Sequence, residues 1–256
     1  MLTKNQIKEI TSLHQKKYRN EKNLFIAEGD KVVLDLLKSG WNVHAIYATG
    51  EFFQWIPNAT TIAKNTQIEL VTDAELRKMS ALSTPNGVLA VAEINQADTI
   101  DYAGGLKLVL DGISDPGNLG TLIRIADWFG IDEIICSENT ADCFNPKVVQ
   151  SAMGSLFHVN VFYANLASVF QKNLSSSKLD VYGTVLDGEN IYEEELSENG
   201  FILAGNESQG ISDELYPFIT KSLTIPGIKS ARADSLNVAV ATGIVCSEFM
   251  RRKVVS

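Results

Sequence analysis

LKLVLDGISDPGNLGTLIRIADWFGI, residues 106–131, is the stretch on which the fold turns. LKLVLDG at 106–112 is a nearly unbroken apolar run, as expected for a strand covered on both faces. Asp115-Pro116-Gly117 is turn chemistry. Asn118 then reads as the N-cap of a helix, LGTLIRIADWF, with Gly130 as its C-cap. A strand running straight into a helix is the building unit of a parallel α/β sheet. Asn118 and Arg124 fall in the first turns of that helix, at the carboxyl end of a strand, where α/β folds place their ligands.

The same pattern repeats downstream. Strand-like segments are expected at 106–110, 133–137, 159–163, 180–186, 201–204 and 222–225. Upstream, residues 1–95 read as a smaller α/β unit. Its strands are expected at 24–29, 43–49, 68–71 and 88–94. DKVVLDLLKSG at 30–40 has helical spacing with Gly40 in the C′ position, and Thr72-Asp73-Ala74-Glu75 is a capping box. Strands alternating with helices predict a mostly parallel sheet here too. NQADTIDYAGG at 95–105 is the linker candidate. The expected division is therefore 1–95 and 106–256.

Composition sets the class. At 45% apolar and 21% charged, the 256 residues suit a soluble globular protein. No apolar run reaches the ~18 residues that a membrane span needs. The amino terminus, MLTKNQIKEI, lacks the apolar core of a secretory signal. Three cysteines without a CxxC pair suit free thiols in a reducing cytoplasm. The histidines are far apart in sequence, and no metal is expected. The net charge of −9 is unevenly placed: residues 1–22 carry six basic side chains against two acidic ones, and the chain ends near RRK at 251–253. A basic arm on an acidic body suits local phosphate contact; a solvated charged helix reads the same way.

Two further motifs follow in order. FILAGNESQGIS at 201–212 is a strand running into a glycine-bounded loop. It differs from a dinucleotide loop: the first glycine pair is missing, and Glu207 would repel a pyrophosphate. That disfavours a nucleotide-dependent oxidoreductase. LTIPGIKSARADSLNVAVATGI at 223–244 is a strand, a polar loop and the start of a helix at Ser235-Leu236-Asn237. Taken singly, each motif also has a plain structural reading: helix caps for Asn118, Ser235 and Asn237, a surface cation for Arg124, and an ordinary strand-to-helix turn for 205–210.

Together, in this order and near this spacing, the three motifs resemble the SpoU (TrmH-like) branch of the SPOUT RNA methyltransferases. KKYRNEKNLFIAEGDKVVLDLLKSG at 16–40 is similar to the ribosomal-protein-like substrate-binding domain that many of them carry. The resemblance implies a doubly wound, mostly parallel sheet closed by a carboxyl-terminal trefoil knot, preceded by a small α/β substrate-binding domain. It implies S-adenosylmethionine-dependent 2′-O-methylation of a ribose in RNA, in a cytoplasmic homodimer. Ribosomal RNA is the first expectation and transfer RNA the alternative. A non-catalytic RNA-binding or ribosome-assembly protein on the same scaffold is a further alternative, against which the intact polar set argues. By position, Asn118, Arg124, Glu207, Ser235 and Asn237 match the family's catalytic polar set, and Gly205, Ile225 and Leu236 its cofactor-contacting sites. The loop GIKSARAD at 227–234 is longer than the family's common form, and Lys229 and Arg232 there are candidate RNA-phosphate contacts.

Overall fold

The computed structural model describes residues 2–53, 66–95, 99–228 and 233–255. Packing divides the chain into two compact units. One is Met1–Asn95 with Asp142–His158; the other is Gln96–Ala141 with Val159–Ser256. The contiguous division read from the sequence therefore differs from the packing in one place. Asp142–His158, from the middle of the carboxyl-terminal region, joins the core of the amino-terminal unit.

The first unit opens with two helices, α1 (Lys4–Ser12) and α2 (Lys16–Lys22). Strand β1 (Leu24–Glu28) feeds α3 (Asp30–Lys38), which buries Val32, Val33, Leu36 and Leu37. β2 (Val43–Ala48), α4 (Gly50–Phe53), β3 (Gln67–Leu70), α5 (Asp73–Met79) and β4 (Val88–Glu93) follow. Thr72 and Glu75 form the capping box of α5, and Gly40 takes a left-handed φ of +80° just past α3. The sheet order is β1-β4-β2-β3. β4 pairs antiparallel with both β1 and β2, and only β2 and β3 are parallel. The expectation of a mostly parallel sheet fails here. β1 and β2 are joined through α3 as a crossover predicts, but β4 inserts between them in the opposite direction, a split βαβ arrangement.

Asp142–His158 closes this unit. Its helix α7 (Pro146–Ala152) starts at an Asn145 cap with Pro146 in the first turn. Phe144 and Phe157 pack with Phe25 and Trp41, with ring centroids 5.1 Å apart for Phe25–Phe144 and 5.5 Å for Trp41–Phe157. Arg19 is 1% exposed; its Nε donates to Asp142 Oδ2 at 3.1 Å and its Nη1 to the Leu13 carbonyl at 2.8 Å. Arg19 is thus a core ion pair, not one of the exposed basic residues that the sequence offered for phosphate contact. Lys4, Lys8, Lys16, Lys17 and Lys22 of the same stretch are exposed.

The second unit is a six-stranded sheet, order β10-β8-β9-β5-β6-β7, built from β5 (Leu106–Leu110), β6 (Glu133–Cys136), β7 (Asn160–Tyr163), β8 (Val181–Asn190), β9 (Gly200–Ala204) and β10 (Lys221–Thr224). Every adjacent pair is parallel. Helix α6 (Pro116–Trp128) connects β5 to β6, and α8 (Leu166–Ser175) connects β7 to β8. Val109, Ile135, Phe170, Phe201 and Leu203 form a common core. The final helix, α9 (Val238–Val255), turns Val238, Val245 and Phe249 inward, while Val240 remains 52% exposed. Among the described residues no helix is long and apolar enough to cross a membrane. The cysteines at 136, 143 and 246 are buried.

This topology locates the site. From β5 the chain moves to β6 on one side; from β9 it moves to β10 on the other. β5 and β9 are neighbours, so the strand order reverses between them. The loops at their carboxyl ends border the crevice where α/β sheets bind ligands.

Candidate active site

Helix α6 begins earlier than its sequence suggests. Asp115 is the N-cap: its Oδ1 accepts the Asn118 N–H at 2.9 Å, and Pro116 fills the first helical position. A proline there loses no hydrogen bond and arrives with helical φ. Asn118, expected as the cap, sits one turn inside, so its amide is free to face the crevice.

That amide joins residues from all three motifs. The Asn237 Oδ1 caps α9, accepting N–H bonds from Ala239 at 3.0 Å and Val240 at 3.3 Å. Its Nδ2 is thereby turned outward and donates to Asn118 Oδ1 at 3.0 Å. Asn118 Nδ2 in turn donates to Glu207 Oε1 at 2.6 Å. The direction of this chain is fixed from the helix end: with one amide oxygen committed to capping, the donors can point only one way. Asn237 therefore both caps a helix and orients the site. Glu207 itself is exposed, and among the described residues its carboxylate is tied to this chain through Oε1.

The loop carrying Glu207 is closed by paired backbone bonds between Asn206 and Gly210, each 2.9 Å. Gly205 cannot be replaced there. A Cβ on it would lie 2.3 Å from the Gly210 carbonyl carbon and the Ile211 nitrogen. Its glycine requirement comes from backbone crossing backbone within the loop.

Other expected site residues stand apart from this chain. Arg124 is exposed on α6, and Ser235 is exposed two residues before Asn237. Among the described residues neither is hydrogen-bonded to Asn118, Glu207 or Asn237. Ile225 is half-buried just past β10, and Leu236 is 49% exposed. Lys229 and Arg232 lie outside the described residues. Among the described residues no group of His, Cys, Asp or Glu side chains is placed to hold a metal ion.

Sequence reasoning missed the braces beneath the site. Buried Asp111 accepts the Ser212 N–H at 2.7 Å. Asn206 Nδ2 donates to the Gly112 carbonyl at 2.6 Å, and the Gly112 N–H donates to Ser137 Oγ at 2.8 Å. The available signal was a polar residue close after an apolar strand at 111, 137 and 206.

Residues 105–247, which span all three motifs, match the model of the SpoU rRNA Methylase family. The chain belongs to that family. Residues 4–90 of this SpoU protein match a second model, the MRM3-like substrate binding domain. The 23S rRNA (guanosine(2553)-2′-O)-methyltransferase RlmP of Bacillus subtilis is 35% identical over 245 residues, covering 94% of this chain and 95% of that one. A solved rRNA methyltransferase from Sinorhizobium meliloti, with AdoMet bound, superposes with a TM-score of 0.87 at 32% identity. The match covers 98% of this chain and 96% of that one. AviRb of Streptomyces viridochromogenes, also with AdoMet, has a TM-score of 0.84 at 22% identity, which bears on the fold alone; the match covers 98% of this chain and 99% of that one.

Proposed function

We propose that this SpoU protein transfers a methyl group from S-adenosylmethionine to a ribose 2′-hydroxyl of ribosomal RNA. The observation that carries the reading is the Asn237–Asn118–Glu207 chain, which joins the three family motifs at the strand-order reversal. The 35% identity to a 23S rRNA 2′-O-methyltransferase over nearly the whole of both chains supports the substrate class.

The residues fit the cofactor in kind. Gly205 and Ile225 follow β9 and β10 at the carboxyl edge of the sheet, where main-chain groups are available, and Leu236 offers an apolar surface. The bound cofactor supplies an electrophilic methyl group on a sulfonium, without phosphate, so the Glu207 carboxylate is not repelled. Glu207 and Asn118 hold the ribose hydroxyl between an acceptor and a donor, and the Glu207 carboxylate would accept the hydroxyl proton as the oxygen takes the methyl group and S-adenosylhomocysteine leaves. Arg124 contacts the neighbouring phosphate and stabilises negative charge developing on the oxygen. Ser235 orders the rim beside Asn237. Holding oxygen and methyl at near-attack distance is most of the task, and the reaction needs no metal.

The amino-terminal unit supplies RNA affinity through its exposed lysines. Family membership supports three further points: a trefoil knot in the carboxyl-terminal region, a cytoplasmic location, and a homodimer formed partly on α9. For the dimer there is also a cavity of about 530 Å³, lined by Asn118, Thr121 and Ile125 of α6 and by Val240, Gly243 and Ile244 of α9. It joins the polar site to the exposed face of α9. Sedimentation is expected at about twice the 28.0 kDa chain mass.

The test has two arms. Calorimetry should show S-adenosylhomocysteine binding without competition from NAD. Mapping 2′-O-methylation over total RNA, with and without the protein, should reveal a position in ribosomal RNA. Saturable NAD binding, or a methylation map unchanged by the protein, would defeat the reading.

A further inference from the structure

We infer that Asn206 is a positioning residue of this site, acting by clamping the Gly112 peptide. The inference rests on the methyltransfer reading for its activity readout, and on geometry for the clamp itself.

Gly112 lies at the start of the loop that leads from β5 to the Asp115 cap and Asn118. It is buried and takes a left-handed φ of +68°. Both polar groups of this residue are held by side chains from other loops. The N–H donates to Ser137 Oγ after β6, and the carbonyl accepts from Asn206 Nδ2 after β9. A Cβ at Gly112 would lie 3.4 Å from Asn139 Nδ2 and 3.7 Å from Asn206 Cβ, so the peptide is also enclosed sterically.

Asn206 also shapes the second loop. Its Oδ1 accepts the Ser208 N–H at 2.8 Å and the Gln209 N–H at 3.2 Å, and its backbone pairs with Gly210. One side chain thus folds the turn that presents Glu207 and fastens it to the loop that presents Asn118. Asp111 supplies a second tie between the same loops through Ser212. The 2.6 Å bond between Asn118 and Glu207 spans two loops whose relative placement depends on these ties. Asn206 neighbours Glu207 in sequence, but its side chain points to Gly112 and its own turn. It acts through the residues it holds.

Replacement separates placement from mere stability. Asn206→Ala removes all the side-chain bonds. Asn206→Asp keeps the turn acceptors but sets a carboxylate oxygen against the Gly112 carbonyl. Both should lower kcat on the order of 10²-fold, the scale of a misplacement near 1 Å, with KM for the cofactor little changed. Asn206→Asp should melt closer to wild type. In a background carrying both Asn118→Ala and Glu207→Ala the Asn206→Ala change should cost no more than about twofold, because the two groups it positions are gone. Effects that simply multiply would overturn the inference. Amide exchange reads the clamp without activity: Asn206→Ala should speed exchange in both 111–118 and 205–212, and unchanged exchange in 111–118 would also overturn it. A wild-type chain that transfers no methyl group would defeat the functional reading, and the exchange arm alone would then decide the clamp.

Discussion

The two sides of the candidate site are held in different ways. On one side, the loops after β5 and β9 satisfy one another: Asp111 with Ser212, Asn206 with Gly112, Asn118 with Glu207. On the other, described residues on the approach to α9 leave their side chains in solvent. Ile228 is 76% exposed, Leu236 49%, and Ser235 is exposed as well; among the described residues there, Asn237 is tied to Asn118. The braced side can keep polar groups aimed before a substrate arrives, which is what electrostatic stabilisation of a transition state requires. The open side carries apolar surface that water solvates at a cost. On the proposed reading, cofactor and second subunit cover it.

The largest expected effect tests whether chemistry resides next to the braced side. Arg124 reaches out from the same helix as Asn118 but has no part in the hydrogen-bonded chain. If it stabilises charge only in the transition state, Arg124→Ala should lower methyl transfer by about 10²–10³ while S-adenosylhomocysteine binds as before. Single-turnover rates beside calorimetry would check this. Near-wild-type transfer would make Arg124 an ordinary surface cation and leave the braced side without a cation for the substrate.

A second effect concerns the residue that links the two sides. Asn237→Ala removes the cap of α9 and the donor that turns Asn118. The cap alone is worth about 0.5–2 kcal/mol. The melting temperature should therefore fall, and transfer should fall with it. Asn237→Ser, which can cap but is too short to reach Asn118, should recover most of the stability and little of the activity. Recovery of both would mean that Asn118 holds its orientation unaided.

A third effect concerns RNA affinity. The exposed lysines of α1 and α2 are expected to contact phosphates, whereas Arg19 is committed to Asp142. Lys8→Glu with Lys16→Glu should weaken RNA binding and flatten its salt dependence, by about 0.7 in log–log slope for each single-strand phosphate that is no longer neutralised. Binding that stays equally salt-steep in the double variant would remove these helices from the interface. Charge reversal is a cleaner test than deleting 1–95, because that deletion would strip Phe144, Phe157 and Asp142 of the core they pack in. Breaking that buried ion pair alone, by Asp142→Ala, should cost about 3–5 kcal/mol in a melt.

These residues also show what a sequence can carry. The central strands of the second unit, β5, β6 and β9, are readable because strands buried on both faces are largely apolar. VLAVAE at 88–93 is an apolar run that carries no sign of strand direction, so nothing local tells that β4 lies antiparallel between β1 and β2. The start of α6 is misread at Asn118 because both Asp and Asn cap helices; Pro116, at home in a first turn, is the discriminating sign. Arg19 counts as a free cation in any tally of charge, and only a partner 123 residues away in sequence shows otherwise. Asn118, Glu207 and Asn237 are legible in the motifs and meet in space. The braces at Asp111, Ser137 and Asn206 show only as polar residues close after apolar strands, since the backbone groups they bind in other loops leave no pattern in the chain.

The smallest expected effect probes the helix that both faces the core and borders the open side. On α9, Val240 is exposed, whereas Cys246, more than one turn on, is fully buried with Val245 and Phe249. Burial pushes the Cys246 thiol up to about 12, because a thiolate there would be poorly solvated. At pH 8 roughly one thiol in ten thousand would be ionised, and the thiolate is the reactive form. A thiol-specific reagent should therefore leave Cys246 unmodified in the native protein for as long as the fold persists, and label it on addition of denaturant. Peptide mapping over time would follow the residue individually. Prompt labelling of Cys246 under native conditions would mean that the inner face of α9 opens with the outer one, and the contrast between a fixed core face and an open site face would then disappear.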